Sequence, residues 1–282
     1  MDSATQNRGT IPQQPSSTQT QPTKPPTMLY KFPHNKLKHC TTKANPIVLV
    51  SCGSFSPISI LHLQMFEITE RYIKSAKFTG PNFEVVGSYL SPVSDAYQKP
   101  SLVPAHHRLE MCSIAAEDTR NLMVDSWEAL RCNEAGEPVY TKTIDVLRHF
   151  DHEINEVLGG IQAPDGACKR AQIVLIIGAD VAIPMADPNI WAASELDRIL
   201  GGYGAFIVER PAQIDINQAL GSLRKYDKIW VVGPCYNDVS STKIRDQIRR
   251  GENVVGLPDK MIEYIRSNHL YQEAVLAMPQ EK

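Results

Sequence analysis

The turn Cys52-Gly53-Ser54-Phe55-Ser56-Pro57 runs into a stretch carrying His62, and these residue types suit the binding of an anion. Glycine lets a phosphate approach the backbone, N–H groups point outward from a helix start, and the helix dipole favours negative charge there. A histidine in that first turn can donate to a phosphate oxygen. The bland alternative is a half-exposed surface histidine. Neither common phosphate loop is present, because Gly53 has no second glycine two residues on and no G-x-x-x-x-G-K-[ST] occurs.

Further clusters carry groups of the same kind. Lys99 closes the polar run Ser91-Pro92-Val93-Ser94-Asp95-Ala96-Tyr97-Gln98-Lys99, with His107-Arg108 just after it. A lysine on such a loop neutralises phosphate as a point charge, or is simply solvated. In Val124-Asp125-Ser126-Trp127-Glu128, Trp127 fits a core as well as a ligand platform. Gly178-Ala179-Asp180 ends an apolar run, with Ile190-Trp191 downstream. Its carboxylate suits a hydroxyl, although an N-cap for the next helix is equally natural. Asn237-Asp238-Val239-Ser240-Ser241-Thr242-Lys243-Ile244-Arg245 opens a helix with hydroxyls. That is a second anion site with Arg245 one turn in, or else a well-capped surface helix.

These residues need a frame to bring them together. Residues 47–50 are apolar and β-branched, which reads as a buried strand of a parallel sheet. Ser59 is a plausible N-cap for a helix marked by Ile60, Leu61, Leu63, Phe66 and Ile68. Strands are expected at 83–89, 122–124, 173–177, 205–208 and 229–232. Helices are expected at 105–116, 141–158, 241–250 and 258–268, with a polar loop at 91–104 and a surface loop at 159–170. The alternation predicts an α/β fold, a doubly wound parallel sheet with right-handed crossovers. Ligands of such sheets lie beyond the C-terminal ends of the strands, where Gly53, Ser91, Gly178 and Gly233 fall. That convergence favours the ligand reading of the Gly53–His62 stretch.

Composition bounds the rest. The 282 residues with 42% hydrophobic content suffice for one core plus a tail. A net charge of −2 gives no electrostatic case for nucleic acid or an anionic membrane as partner. The six cysteines form no C-x-x-C pair, which argues against zinc and disulfides and for a reducing compartment. No apolar run approaches the roughly 18 residues of a membrane span. Residues 1–44, mostly Gln, Pro, Ser and Thr at the start, are expected to be a disordered tail, although 30–33 can pack back on the body. The body is expected at 45–272 and a short tail at 273–282. Residues 1–44 lack the apolar core of a secretory signal, and the basic run 36–43 reads as a solvated arm rather than a nuclear signal. A cytoplasmic or nuclear location is expected, and a homo-oligomer is compatible with the sequence.

Gly53, Phe55, Pro57 and His62 form G-x-F-x-P-x-x-x-x-H, which resembles the nucleotidyltransferase superfamily. In its two-residue signature [HT]-x-G-H, Ser59 and Leu61 depart from the pattern while the final histidine is kept. GSFSPxxxLHLxMFE, SPVSDAYxK, AxHRLEMC, MVDSWEAL, VLxHF, GAD, PNxW, YGxxIVER and NDxSSTKIR then follow in order. From about residue 46 to 271 the chain resembles the nicotinamide/nicotinate-mononucleotide adenylyltransferases of eukaryotic type. The resemblance implies a Rossmann-like fold and transfer of the adenylyl group of ATP to a pyridine mononucleotide, amide or acid, giving NAD or deamido-NAD and pyrophosphate.

It also implies roles. His62, Lys99 and Arg245 face the reacting phosphates, and Ser54 and Phe55 beside Gly53 hold both ligands through the backbone. Ser241, Thr242, Lys243, Ile244 and Arg245 form the second ATP wall, Gly178 and Asp180 hold the adenosine ribose, and Asn237 adds a nucleotide contact. Trp191 and Tyr140 stack on the pyridine ring, with Ile190 and Thr143 beside them. Magnesium is carried mainly by the ATP phosphates and water, with no protein metal cage. A nucleotidyltransferase with another acceptor would keep the phosphate walls but have no reason for Trp191 and Tyr140. A non-catalytic NAD-binding or scaffold protein would have no reason to keep His62, Lys99 and Arg245.

Overall fold

A computed structural model describes residues 30–210, 215–236 and 239–272. Its main sheet contains β1 (Asn45–Gly53), β2 (Phe83–Pro92), β3 (Leu122–Val124), β6 (Gln172–Gly178), β7 (Ala205–Val208) and β8 (Ile229–Val232). Two further short strands, β4 (Ile161–Gln162) and β5 (Cys168–Lys169), pair as a small antiparallel hairpin inside the expected loop 159–170. The helices are α1 (Ile60–Ile73), α2 (Ala105–Ala116), α3 (Trp127–Leu130), α4 (Thr143–His152), α5 (Ala179–Ala186), α6 (Ala193–Leu196), α7 (Ile216–Leu220), α8 (Ser241–Arg249) and α9 (Asp259–Ser267).

The six strands run in the order β3-β2-β1-β6-β7-β8, all parallel. Strand order reverses between β1 and β6, and a crevice opens at such a point above the strand ends. β1 shows why the sheet is covered on both faces. Ile47 and Leu49 join the apolar cluster with α1 and α2, while Val48 and Val50 join the one with α4 and α5. All four are fully buried, as the period-two alternation of a central strand requires. No helix among the described residues is long and apolar enough to cross a membrane.

The boundary expected at residue 44 is too late. Phe32 is only 7% exposed and stacks on Tyr89 at 5.3 Å, with the Phe150 ring edge-on at 5.9 Å. Lys36 Nζ donates to the carbonyls of Ala116 at 2.7 Å and Thr119 at 2.9 Å. The Glu84 carboxylate accepts from the N–H and hydroxyl of both Thr41 and Thr42, at 2.6–3.0 Å. Residues 31–44 are thus a docked arm rather than a tail. One aromatic and a few polar clasps hold them, too few to register in a composition dominated by the first 29 residues.

Candidate active site

A cleft of about 610 Å³ lies over the point where strand order reverses, and all the expected clusters reach it from separate elements. Gly53, Ser54, Phe55 and His62 line the side built by β1 and α1. The Phe55 ring is buried (2% exposed) with φ 43, so this residue offers its backbone to the cleft rather than its side chain. A Cβ at Gly53 would lie 3.1 Å from that ring, so glycine keeps the turn tight.

His62 sits at the third position of α1. Its Nδ1 accepts from the Ser59 backbone N–H at 3.1 Å, with the Ser59 hydroxyl 2.9 Å away. A backbone N–H can only donate, so Nδ1 carries no proton and Nε2 carries the ring N–H. The side chain is half-exposed by area, yet the ring lies among enough protein atoms that desolvation dominates its titration. Desolvation pulls the imidazole down to about 4, with Arg210 assisting and the Asp180 carboxylate opposing. Near neutral pH it is therefore an uncharged donor. Ser59, which departs from the family signature, is buried and caps the helix while holding this tautomer.

The opposite wall is α8. Ser240 caps it by accepting from the Lys243 N–H at 3.2 Å, and Ser241 donates to the Pro57 carbonyl at 2.8 Å. Arg245 is buried and donates to the Ser56 carbonyl at 2.8 Å and to the Thr242 hydroxyl at 3.1 Å. The hydroxyl of Tyr271 reaches Ser56 from the other side, 3.1 Å from its Oγ. Burial lowers the Arg245 pKa, and its Nε has no hydrogen-bond partner among the described residues. Ile244 is a fully buried core side chain, and exposed Lys243 is not among the residues lining the cleft. Successive helix positions turn by about 100°, so Thr242 and Arg245 face one way while the two between them do not. Asn237 lies outside the described residues.

At the end of β6, a Cβ on Gly178 would run into the Asp180 carboxylate, so a larger residue there would push that side chain aside. Asp180 is half exposed and lies 3.7 Å from Arg210 Nη1. Arg210 itself is 7% exposed, lines the cleft, donates to the Val239 carbonyl at 3.3 Å, and leaves its Nε without a partner among the described residues. Sequence reasoning missed this residue. The available signal was its place two residues beyond the end of β7, at the ligand edge of a parallel sheet.

The remaining end is aromatic. Tyr140, Thr143, Ile190 and Trp191 line it, and Tyr97, also missed, stacks on Tyr140 at 6.1 Å. Lys99 lines the cleft from the loop after Tyr97. Arg108, fully buried, ties that loop down by donating to Asp95 at 2.8 Å and to the carbonyls of Val103 and Ser54. Trp127 turns away from the cleft and stacks on His149 at 4.1 Å, with Arg131 over its ring at 4.8 Å. Glu128 is buried against Ser91 at 2.6 Å, and desolvation lifts its carboxyl to about 7. Among the described residues no group of three or more His, Cys, Asp or Glu side chains could hold a metal ion.

Known proteins resemble this chain in sequence and in fold. A cytidylyltransferase-like family model covers residues 50–247. The chain is 44% identical over 251 residues to nicotinamide/nicotinic acid mononucleotide adenylyltransferase 2 of Saccharomyces cerevisiae, covering 86% of this chain and 61% of that protein. It thus spans about three fifths of the length of that yeast relative. It is 34% identical to nicotinamide/nicotinic acid mononucleotide adenylyltransferase of Arabidopsis thaliana, over 80% of this chain and 90% of that one. The fold is shared with Plasmodium falciparum nicotinic acid mononucleotide adenylyltransferase complexed with NaAD, at a TM-score of 0.53, 17% identity, and coverage of 80% of this chain and 97% of that one. The chain belongs to the cytidylyltransferase-like family and, within it, to the nicotinamide/nicotinic acid mononucleotide adenylyltransferases.

Proposed function

We propose that this cleft transfers the adenylyl group of ATP to nicotinamide mononucleotide, and to nicotinate mononucleotide as well, forming NAD or deamido-NAD and pyrophosphate. The observation that carries the reading is one cleft lined by two helix N-termini with His62 and Arg245 and by an aromatic end with Tyr140 and Trp191. The first half suits a polyphosphate and the second a flat ring.

In this reading the mononucleotide phosphate attacks the α-phosphorus in line and pyrophosphate leaves. No covalent nucleophile is needed. The chain holds two anions in contact and offsets their repulsion. His62 donates from Nε2, Arg245 and Arg210 supply fixed charge from buried positions, and Lys99 adds a mobile ammonium. The α8 start, with Ser241 and Thr242, receives ATP phosphates, while Ser54 and Phe55 bind both ligands through the backbone beside Gly53. Gly178 and Asp180 take the adenosine ribose, and Asn237 adds a contact to the nucleotide. Trp191 and Tyr140 hold the pyridine ring, with Ile190 and Thr143 beside it. Because α4 begins at Thr143 without a side-chain cap, its backbone is open to the ring substituent.

Magnesium fits as an ion bound by ATP oxygens and water, since it keeps several waters and needs no protein cage. Bound there it would neutralise phosphate charge. The cytoplasm or nucleus is the proposed location, supported by six free cysteines. The test is a coupled assay of purified protein with ATP and each mononucleotide. Formation of NAD and pyrophosphate supports the reading, and turnover of neither acceptor overturns it.

A further inference from the structure

At the aromatic end of the cleft, Lys142 and Glu195 form an ion pair between the residue preceding α4 and the short α6. Both line the cleft beside Tyr140, Thr143 and Trp191. Lys142 keeps 60% of its side chain exposed and Glu195 keeps 24%, so the pair is open to a ligand rather than sealed in the core. Burial raises the titration of the neighbouring Tyr140 hydroxyl, with Glu195 a lesser contributor, and the bond from Glu195 favours the charged form of Lys142.

The two acceptors differ at one ring substituent. A carboxylate is an anion with acceptors only, whereas a carboxamide is neutral with an N–H₂ donor and a carbonyl acceptor. An aromatic pocket does not tell them apart, because ring and ribose are the same in both. A lysine and a glutamate held side by side present both complements. The ammonium matches the carboxylate, and the glutamate accepts from the amide N–H₂ while repelling the carboxylate.

We propose that the Lys142–Glu195 pair sets the balance between the acid and amide mononucleotides, Lys142 favouring the acid and Glu195 the amide. This rests on the adenylyl-transfer reading above and assigns the pair a part in specificity, not in the chemical step.

The experiment measures kcat/KM for both acceptors, with ATP saturating, in the wild type, Lys142→Met, Lys142→Arg and Glu195→Gln. The acid-to-amide ratio should fall about fivefold in Lys142→Met, stay near wild type in Lys142→Arg, and rise about fivefold in Glu195→Gln, as modest exposure of the pair allows. KM for ATP should not move. Opposite shifts are the signature, because a merely structural ion pair would lower both acceptors together on losing either partner. A ratio within twofold of wild type in both charge-removing variants, or a shift of the same sign in both, overturns the inference while leaving the adenylyl-transfer reading intact. A wild-type protein inert with both acceptors overturns that reading, and the inference with it.

Discussion

The Ser59 backbone N–H donates to His62 Nδ1 across 3.1 Å, so the imidazole presents a protonated Nε2 without carrying charge. Loss of this donor is the most direct test of the polyphosphate site. His62→Ala should lower kcat by about 10²-fold or more, because donors to charge developing in transfer contribute roughly 2.7–4 kcal/mol. Secondary structure should persist. A folded variant within a few-fold of wild type would remove His62 from the reaction.

The depressed His62 value gives a second, independent handle. Held down to about 4 by desolvation, the His62 ring of the ligand-free protein is neutral through most of the accessible range. A bound polyphosphate stabilises the cationic form and raises that value. ATP binding near pH 5 should therefore take up protons, visible as a binding enthalpy that changes with the buffer's ionisation heat. His62→Gln should abolish the uptake. Equal proton uptake in both proteins would assign it to another group.

Arg210 is buried in the cleft with one guanidinium nitrogen unpartnered among the described residues, so its charge is held ready for a ligand. Arg210→Lys should raise KM for ATP or lower kcat by roughly tenfold or more, since hydrogen bonds to charged groups contribute about 1.5–3 kcal/mol. A lysine keeps the charge but not the fork. Full activity in the lysine variant would show that charge alone suffices there.

In the proposed reading Tyr140 and Trp191 face the acceptor, whose ring nitrogen is bonded to ribose and is cationic. An aromatic face gains about 0.5–2 kcal/mol on such a ring. Each alanine variant should raise KM for the mononucleotide while KM for ATP moves little, with Trp191 the larger effect. Tyr140 is 53% exposed, so its removal should leave the melting temperature almost unchanged. Trp191 packs partly against the core, and some loss of stability accompanies its removal. Equal losses for both substrates would sink the assignment.

The docked arm predicts stability effects away from the cleft. Phe32→Ala should cost about 3 kcal/mol, the lower end for a buried phenylalanine. Glu84 adds a pH term. Desolvation opposes its ionisation, but four hydrogen bonds from Thr41 and Thr42 outweigh that and hold the carboxyl at about 2 against an ordinary 4.5. A folded value below the unfolded one means the contribution is full above pH about 4.5 and is lost as pH falls towards 2. Glu84→Gln should flatten the acid limb of stability across that window. An unchanged limb would show that the clasp contributes nothing.

The six strands of the main sheet were legible because each is an apolar run bounded by turn residues, and the first anion turn because its residues sit at fixed spacing. What the sequence hid is pairwise or orientational. Lys142 and Glu195 are brought together only by the fold. Arg210 is one residue at a strand end, and Phe32 is one aromatic in a polar arm. The run 241–245 reads as a continuous wall, yet helical rotation sends Ile244 into the core and Lys243 away from the cleft.

Ser56 joins several elements, its carbonyl accepting from Arg245 and its hydroxyl shared among Tyr271, the Ser101 carbonyl and the Val103 N–H. Whatever steadies Arg245 in the nucleotide cleft therefore also steadies the turn that follows α9. Amides of that turn should exchange with solvent deuterium more slowly when ATP is bound, a remote report of occupancy carried through a single residue.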